Sequence, residues 1–292
     1  MDRSPAPYQS IVTCETLARY VGDPAWVVVD CRFDLADPEA GGRAYRHRHI
    51  AGAAYAHLDR DLCGPPVITG GRHPLPTAEA LQATLGQLGI DDSRQVVAYD
   101  DAGGAMAARL WWLLRYMGHG AVALLDGGWD AWEAAGLPTA TGQERTAARV
   151  FLGAPRTEWL VRIDQVSDAP LLIDSRDPAR YRGEVEPLDP VAGHIPGAVN
   201  YFWKENLDAQ GRFLAPATLR ARIERLLAET PSRHAVFYCG SGVTACHNLV
   251  AVVHAGLPAA RLYAGSWSEW CTDPGRPVAR GPAPGPEDTP GS

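Results

Sequence analysis

Short apolar runs alternate with longer amphipathic stretches along most of the chain. The runs VVVD (27–30) and LLID (171–174) have the length and β-branching of buried parallel strands. Further strands are predicted at 95–99, 121–125, 235–238 and 261–263, and helices at 77–88, 105–117, 217–228 and 245–255. Strands that alternate with helices predict an α/β fold with mainly parallel sheets.

The same landmarks occur twice along the chain. VVVDCR is followed by HIAGA and then GGWDAW in the first half, and LLIDSR, HIPGA and GSWSEW follow in the same order in the second. The two sets lie roughly 140 residues apart, a domain-sized period that indicates a tandem duplication rather than a solenoid. Chance similarity would not preserve the order.

The duplication sets the predicted domain boundaries. We expect an N-terminal domain at 8–140 and a C-terminal domain at 159–280, each with a mainly parallel sheet flanked by helices. The polar, weakly patterned stretch 141–158 is interpreted as the linker, and the Gly- and Pro-rich stretch 281–292 as a disordered tail.

Composition narrows the function classes. Of 292 residues, 46% are hydrophobic and 21% charged, as in an ordinary folded protein. A net charge of −7 argues against a nucleic-acid partner, and no run approaches the ~20 apolar residues of a membrane helix. The first ten residues lack the apolar core of a secretory signal, and the six cysteines form no CxxC pair or metal-ligand spacing. We therefore expect a cytoplasmic protein with reduced thiols, no metal and no membrane partner.

The two copies differ most sharply after the strand that ends in tyrosine. The second copy reads YCGSGVTAC from Tyr238, where the first reads YDDAGGAMA from Tyr99, so that Cys239 aligns with Asp100. A helix is predicted to begin shortly after Cys239, and glycines in the loop allow backbone N–H groups to converge on the sulfur. Such surroundings favour the thiolate, so we predict Cys239 as a nucleophile rather than a structural thiol like Cys31.

These motifs resemble the two-domain rhodanese-type sulfurtransferases. HIPGA, the DCR and DSR strand ends and the paired G-x-W-x-x-W segments carry the resemblance over about residues 8–280, and CGSGVTA is similar to the loop of the mercaptopyruvate branch. The resemblance implies a catalytic C-terminal copy, and an N-terminal copy that has lost its cysteine. It also implies sulfur transfer through a Cys239 persulfide without a metal or organic cofactor.

The resemblance also implies roles for other residues. Arg180 is expected to bind the anionic part of the donor, because guanidinium pairs well with carboxylate. The loop residues are expected to hold the donor and the persulfide through their N–H groups; they are Gly240, Ser241, Gly242, Val243 and Thr244. His49 is first a scaffold histidine, and is also a candidate proton-relay partner of Ser241, with Asp37 the nearest acidic candidate.

The predicted partners are a small anionic sulfur donor and a thiophilic acceptor such as cyanide, a thiol or a reduced thioredoxin. The loop has no basic residue, which favours 3-mercaptopyruvate over dianionic thiosulfate. The mercaptopyruvate branch has a second arginine after the Arg180 position, whereas residues 186–189 read EPLD, so we expect a raised KM for that donor.

Three alternatives stay open. The chain could be a thiosulfate-preferring rhodanese. A cysteine-dependent phosphatase would need arginine at the sixth position after Cys239, where Ala245 stands. A non-enzymatic sulfur carrier or binding module would be expected to have lost the cysteine loop in both copies.

Among the supporting residues, Asp174 and Arg176 are expected to form a structural pair, and the paired tryptophans, Trp267 among them, to pack in the cores.

Overall fold

The computed structural model describes residues 7–67 and 70–282. Its backbone falls into two compact units. The first unit contains residues 7–65, 75–157 and 207–216, and the second contains 66–67, 70–74, 158–206 and 217–282. The predicted tail lies outside the described residues from 283 onwards. No helix among the described residues is long and apolar enough to cross a membrane.

The first unit consists mostly of residues from the N-terminal repeat. Its strands are β1 (Ile11–Val12), β2 (Trp26–Asp30), β3 (His49–Ile50), β4 (Ala54–Tyr55), β5 (Gln95–Tyr99), β6 (Val122–Leu125) and β7 (Thr139–Ala140). Its helices are α1 (Cys14–Ala18), α2 (Ala40–His47), α3 (Leu58–Asp61), α4 (Ala78–Gln87), α5 (Ala107–Tyr116) and α6 (Gly128–Ala134).

In the second unit, strands and helices again alternate along the chain. Its strands are β8 (Leu160–Val161), β9 (Leu171–Asp174), β10 (Val199–Asn200), β11 (Ala235–Tyr238) and β12 (Arg261–Tyr263). Its α-helices are α7 (Pro178–Arg182), α8 (Pro216–Leu227, whose first residue is grouped with the first unit), α9 (Ala245–His254) and α10 (Ser266–Trp270). Short 3₁₀ turns occupy Thr157–Trp159, Ile163–Asp168, Trp203–Asn206 and Ser232–His234.

Each unit is built on a parallel sheet, as predicted, and each of these sheets has five strands. The first sheet has the order β1-β6-β5-β2-β4, and the second has the equivalent order β8-β12-β11-β9-β10. The central strands β5 and β11 are fully buried because helices cover both faces of a parallel sheet. The two-domain α/β architecture is thereby confirmed.

The repeated motifs hold equivalent positions in the two units. Arg32 and Arg176 each form a bidentate pair with the aspartate two residues earlier, at 2.7 and 2.6 Å for the shortest contacts. Both guanidinium groups stack on a buried tryptophan, Trp129 or Trp267, 4.6 and 4.8 Å from the ring centroids. The predicted structural pair and the predicted core tryptophans are confirmed.

Candidate active site

Cys239 follows β11 directly, at the carboxyl end of the central strand of the second unit. Its residue is 2% exposed, and its backbone N–H donates to Oγ of Ser266 at 3.1 Å. Its carbonyl accepts from the N–H of Trp267 at 3.0 Å. These bonds anchor the start of the loop to the N-terminal end of α10. Ligands of open parallel sheets bind at such strand ends.

The loop after Cys239 runs into the N-terminus of α9. Thr244 is the N-cap residue of this helix, and its side chain makes no capping hydrogen bond. The first N–H groups of a helix carry a partial positive charge, so they can receive an anion at the loop. Gly242 has φ +73°, and a Cβ built there would lie 2.2 Å from the carbonyl oxygen of Ala264. The loop conformation therefore requires glycine at 242.

Ser241 has a histidine partner, but the histidine differs from the expected one. Nδ1 of His73 lies 2.6 Å from Oγ of Ser241, and both residues are buried. His73 comes from the N-terminal half of the sequence, yet residues 70–74 belong to the second unit. The structure therefore places His73, in the position expected of His49, beside the loop serine.

His49 is a scaffold residue of the first unit. Its Nδ1 lies 2.7 Å from the carbonyl oxygen of Tyr45, and its ring stacks on that tyrosine with 4.1 Å between centroids. His194 repeats both contacts in the second unit, with Tyr181. Asp37, the acidic candidate for the relay, is exposed and pairs with Arg43. The contacts of His49 are those of a residue that holds a turn.

Arg180 lies next to the loop, as its place in α7 suggests. Its Nη2 donates to Oε1 of Glu186 at 2.6 Å and approaches Oδ2 of Asp189 at 3.3 Å. Asp189 also accepts from Nη1 of Arg72. Burial raises the pKa of the Asp189 carboxyl above its ordinary value, Glu186 adds to the rise, and Arg72, Arg180 and Arg176 oppose it. The loop thus faces a cluster of paired charges.

In the first unit, the loop equivalent to the Cys239 loop binds a carboxylate. The Asp100 carboxylate, fully buried, accepts four backbone hydrogen bonds of 2.7–2.9 Å. The donors are the N–H groups of Ala102, Gly104, Met106 and Ala107. Gly103, which aligns with Gly242, also has positive φ. The strand–loop–helix turn is therefore an anion cradle, filled by a side chain of its own in the first unit.

The cradle gives Asp100 a structural role that can be measured. We expect Asp100→Ala to lower the free energy of unfolding by about 3 kcal/mol, because buried N–H groups lose their acceptor. Urea denaturation would measure the change. Asp92→Ala, at an exposed position of the same unit, should change stability by less than about 0.5 kcal/mol. Equal effects of the two substitutions would show that the cradle contributes nothing.

The other cysteines are poorly suited to be nucleophiles. All six are free thiols. Burial raises the pKa of Cys14 and of Cys271 to about 11, and it also raises the pKa of Cys63 and of Cys31. Cys246 lies on α9, where its Sγ donates to the carbonyl oxygen of Gly242 at 3.3 Å. Among the six, Cys239 is the one that aligns with the cradle residue Asp100.

The chain matches the rhodanese-like domain family twice, at residues 13–135 and 158–273. The chain belongs to this family. A probable 3-mercaptopyruvate sulfurtransferase of Pseudomonas aeruginosa is 50% identical over 93% of this chain and 98% of the relative. A putative thiosulfate sulfurtransferase of Mycobacterium tuberculosis is 40% identical over 94% and 98%. The structure of 3-mercaptopyruvate sulfurtransferase from Leishmania major superimposes with a TM-score of 0.81 at 30% identity, covering 91% of this chain and 75% of that one.

This rhodanese is a sulfurtransferase, in agreement with the motif analysis. Sequence reasoning missed two residues beside its loop, Arg72 and His73. Both lie in the stretch GGRHPLP (70–76), whose counterpart in the second copy is QGRFLAP (210–216); Arg72 recurs there as Arg212, and His73 is replaced by Phe213. The replacement of histidine by phenylalanine between the two copies was the available signal.

Proposed function

We propose that Cys239 carries sulfur as a persulfide between a small anionic donor and a thiol-type acceptor. The observation that supports this most directly is the filled cradle at Asp100, because Cys239 occupies the same position of an equivalent loop. A persulfide anion on Cys239 would find three of the four corresponding N–H groups; the fourth, that of Cys246, donates to the carbonyl oxygen of Val243 at 3.1 Å. No metal or organic cofactor takes part in the proposed steps.

With 3-mercaptopyruvate, the thiolate of Cys239 attacks the donor sulfur, and the S–S bond forms as the C–S bond breaks. The electron pair leaves on carbon as the enolate of pyruvate, which must take up a proton. The Ser241 hydroxyl and the His73 imidazole, whose Oγ and Nδ1 lie 2.6 Å apart, are the pair suited to deliver this proton. With thiosulfate, the same attack releases sulfite and requires no proton.

We infer that 3-mercaptopyruvate is the preferred donor. The loop contributes no cationic side chain, and the carboxylates that pair with the neighbouring arginines leave little net positive charge for a dianion. A monoanion with a carbonyl group can use Arg180 for its carboxylate and Ser241 for proton transfer. The relatives named above divide between the two donors, so their names leave the choice open.

The acceptor is proposed to be a small thiol or a reduced thioredoxin, with cyanide as a laboratory substitute. An acceptor thiolate attacks the outer sulfur of the persulfide, and Cys239 leaves as the thiolate, which completes a ping-pong cycle. Six free thiols suit a reducing compartment, which supports the proposed cytoplasmic location.

Intact-mass spectrometry tests the persulfide. Incubation with either donor should add one sulfur atom to the protein, on the peptide that contains Cys239, and addition of cyanide should remove it. Steady-state kinetics with both donors and one acceptor should give a higher kcat/KM for 3-mercaptopyruvate. A kcat/KM for thiosulfate tenfold above that for 3-mercaptopyruvate would contradict the donor assignment and leave sulfur transfer itself standing.

A further inference from the structure

Two arginines from distant parts of the sequence converge on the residue after Cys239. A Cβ atom built on Gly240 would lie 2.9 Å from Nη2 of Arg72. The same atom would lie 3.5 Å from both Nη1 and Nη2 of Arg180. Arg72 therefore supplies, from a different segment, a second guanidinium group that residues 186–189 do not contain.

A single carboxylate joins these two arginines. Oδ1 of Asp189 accepts from Nη1 of Arg72, and Oδ2 lies 3.3 Å from Nη2 of Arg180. The side chain of Asp189 is 3% exposed, whereas those of Arg72 and Arg180 are 30% and 17% exposed. The acid thus lies on the buried side of the pair, and the guanidinium groups remain partly accessible to a ligand.

The surrounding ion pairs balance in charge. Glu186 accepts from Arg180 at 2.6 Å and from Arg176 at 3.2 Å. With the pair formed by Asp174 and Arg176, the cluster holds three arginines and three carboxylates, namely Arg72, Arg176, Arg180, Asp174, Glu186 and Asp189. When all are ionised, the cluster is neutral.

We propose that Arg72 and Arg180 form the anion clamp of the donor site, and that Asp189 sets its charge preference by keeping the cluster neutral. The inference rests on the proposed function. A monoanionic carboxylate can take one hydrogen bond from each arginine while Asp189 remains in place. A dianion such as thiosulfate loses more hydration on entering, and a neutral cluster compensates for less of that loss.

The decisive variant is Asp189→Asn, which keeps the shape of the side chain and removes one negative charge. The cluster then carries one net positive charge. The ratio of kcat/KM for thiosulfate to that for 3-mercaptopyruvate should rise about tenfold, and the rise should shrink as salt screens the added charge. Steady-state kinetics at low and high ionic strength measure both effects.

Glu184→Gln is the matched control. Glu184 is exposed and pairs with Arg182, so its replacement changes the net charge of the chain equally without touching the cluster. Its donor ratio should stay at the wild-type value. An equal shift in both variants would overturn the proposal, because overall charge would then account for the preference.

Arg72→Gln tests the same idea with the opposite sign and does not depend on the fold of the Asp189 variant. Its side chain is partly exposed, so the substitution leaves the core intact. It should lower kcat/KM for both donors. The ratio of kcat/KM for thiosulfate to that for 3-mercaptopyruvate should fall about tenfold, because the cluster then has a net negative charge. The double variant Arg72→Gln/Asp189→Asn should return the ratio towards the wild-type value.

The outcomes separate this inference from the proposed function. If the wild-type protein takes up sulfur from neither donor, the proposed function fails. If both donors are used but the ratio is the same in wild type, Asp189→Asn and Arg72→Gln, the proposed function stands. The charge role of Asp189 is then wrong.

Discussion

Cys239→Ser should reduce sulfurtransferase turnover by at least on the order of a thousandfold with either donor. A serine hydroxyl is a far weaker nucleophile towards sulfur, and it cannot form a persulfide. Since Cys239 is buried and a hydroxyl is no larger than a thiol, the variant should unfold at nearly the wild-type temperature. Turnover assays and intact-mass spectra of the same preparation, with thermal melts, would measure the three quantities.

Cys246→Ser is the control for this prediction. Cys246 lies on α9 in the same unit, and a serine hydroxyl can keep its hydrogen bond to the carbonyl oxygen of Gly242. We expect this variant to keep most of the turnover and to take up one sulfur atom. If Cys239→Ser kept most of its activity while Cys246→Ser lost it, Cys246 would have to be the sulfur carrier.

The fold was predictable because its determinants are local and occur twice. The strands at 95–99, 235–238 and 261–263 have the predicted bounds, since short, largely apolar runs between helices have few alternatives in a parallel sheet. The helices at 77–88 and 245–255 differ from the prediction only at their ends, where capping determines the last turn. Duplication made each assignment testable against its counterpart.

The site was predictable only in the part that is continuous in sequence. Cys239 and its loop follow a strand, so their local chemistry can be interpreted without the tertiary structure. Arg72 and His73 are separated from the loop by more than half the chain, and only the packing of residues 70–74 in the second unit brings them there. His49 and its counterpart His194 make the same local contacts, which is typical of scaffold residues that recur in both copies.

The alignment of the two copies does contain one further piece of site information. Gly242 aligns with Gly103, and both have positive φ, although their loops otherwise share little sequence. A residue that occurs in both an active and an inactive loop maintains the backbone conformation and takes no direct part in the chemistry. Its contribution to catalysis should therefore be indirect, through the positions of the N–H groups around Cys239.

Gly242→Ala should accordingly lower kcat/KM on the order of a hundredfold and destabilise the fold by roughly 2–4 kcal/mol. Alanine at φ +73° is strained, and its Cβ would lie 2.2 Å from the carbonyl oxygen of Ala264, a backbone atom that cannot rotate away. The loop must then shift, and the N–H groups no longer converge on the sulfur. Steady-state kinetics and urea denaturation would measure the two effects.

Substitutions at two other glycines of the second unit separate the effect of backbone strain from that of a displaced loop. Gly197 has φ +81° with open space around its Cβ position, so Gly197→Ala should cost about 1 kcal/mol of stability and leave the activity unchanged. At Gly240, the three atoms nearest to the Cβ are the ends of the flexible Arg72 and Arg180 side chains, so Gly240→Ala should raise the donor KM without destabilising the fold. If Gly242→Ala lost no more activity than Gly197→Ala, the close approach to Ala264 would have no part in holding the loop, and the cradle would not depend on its backbone path.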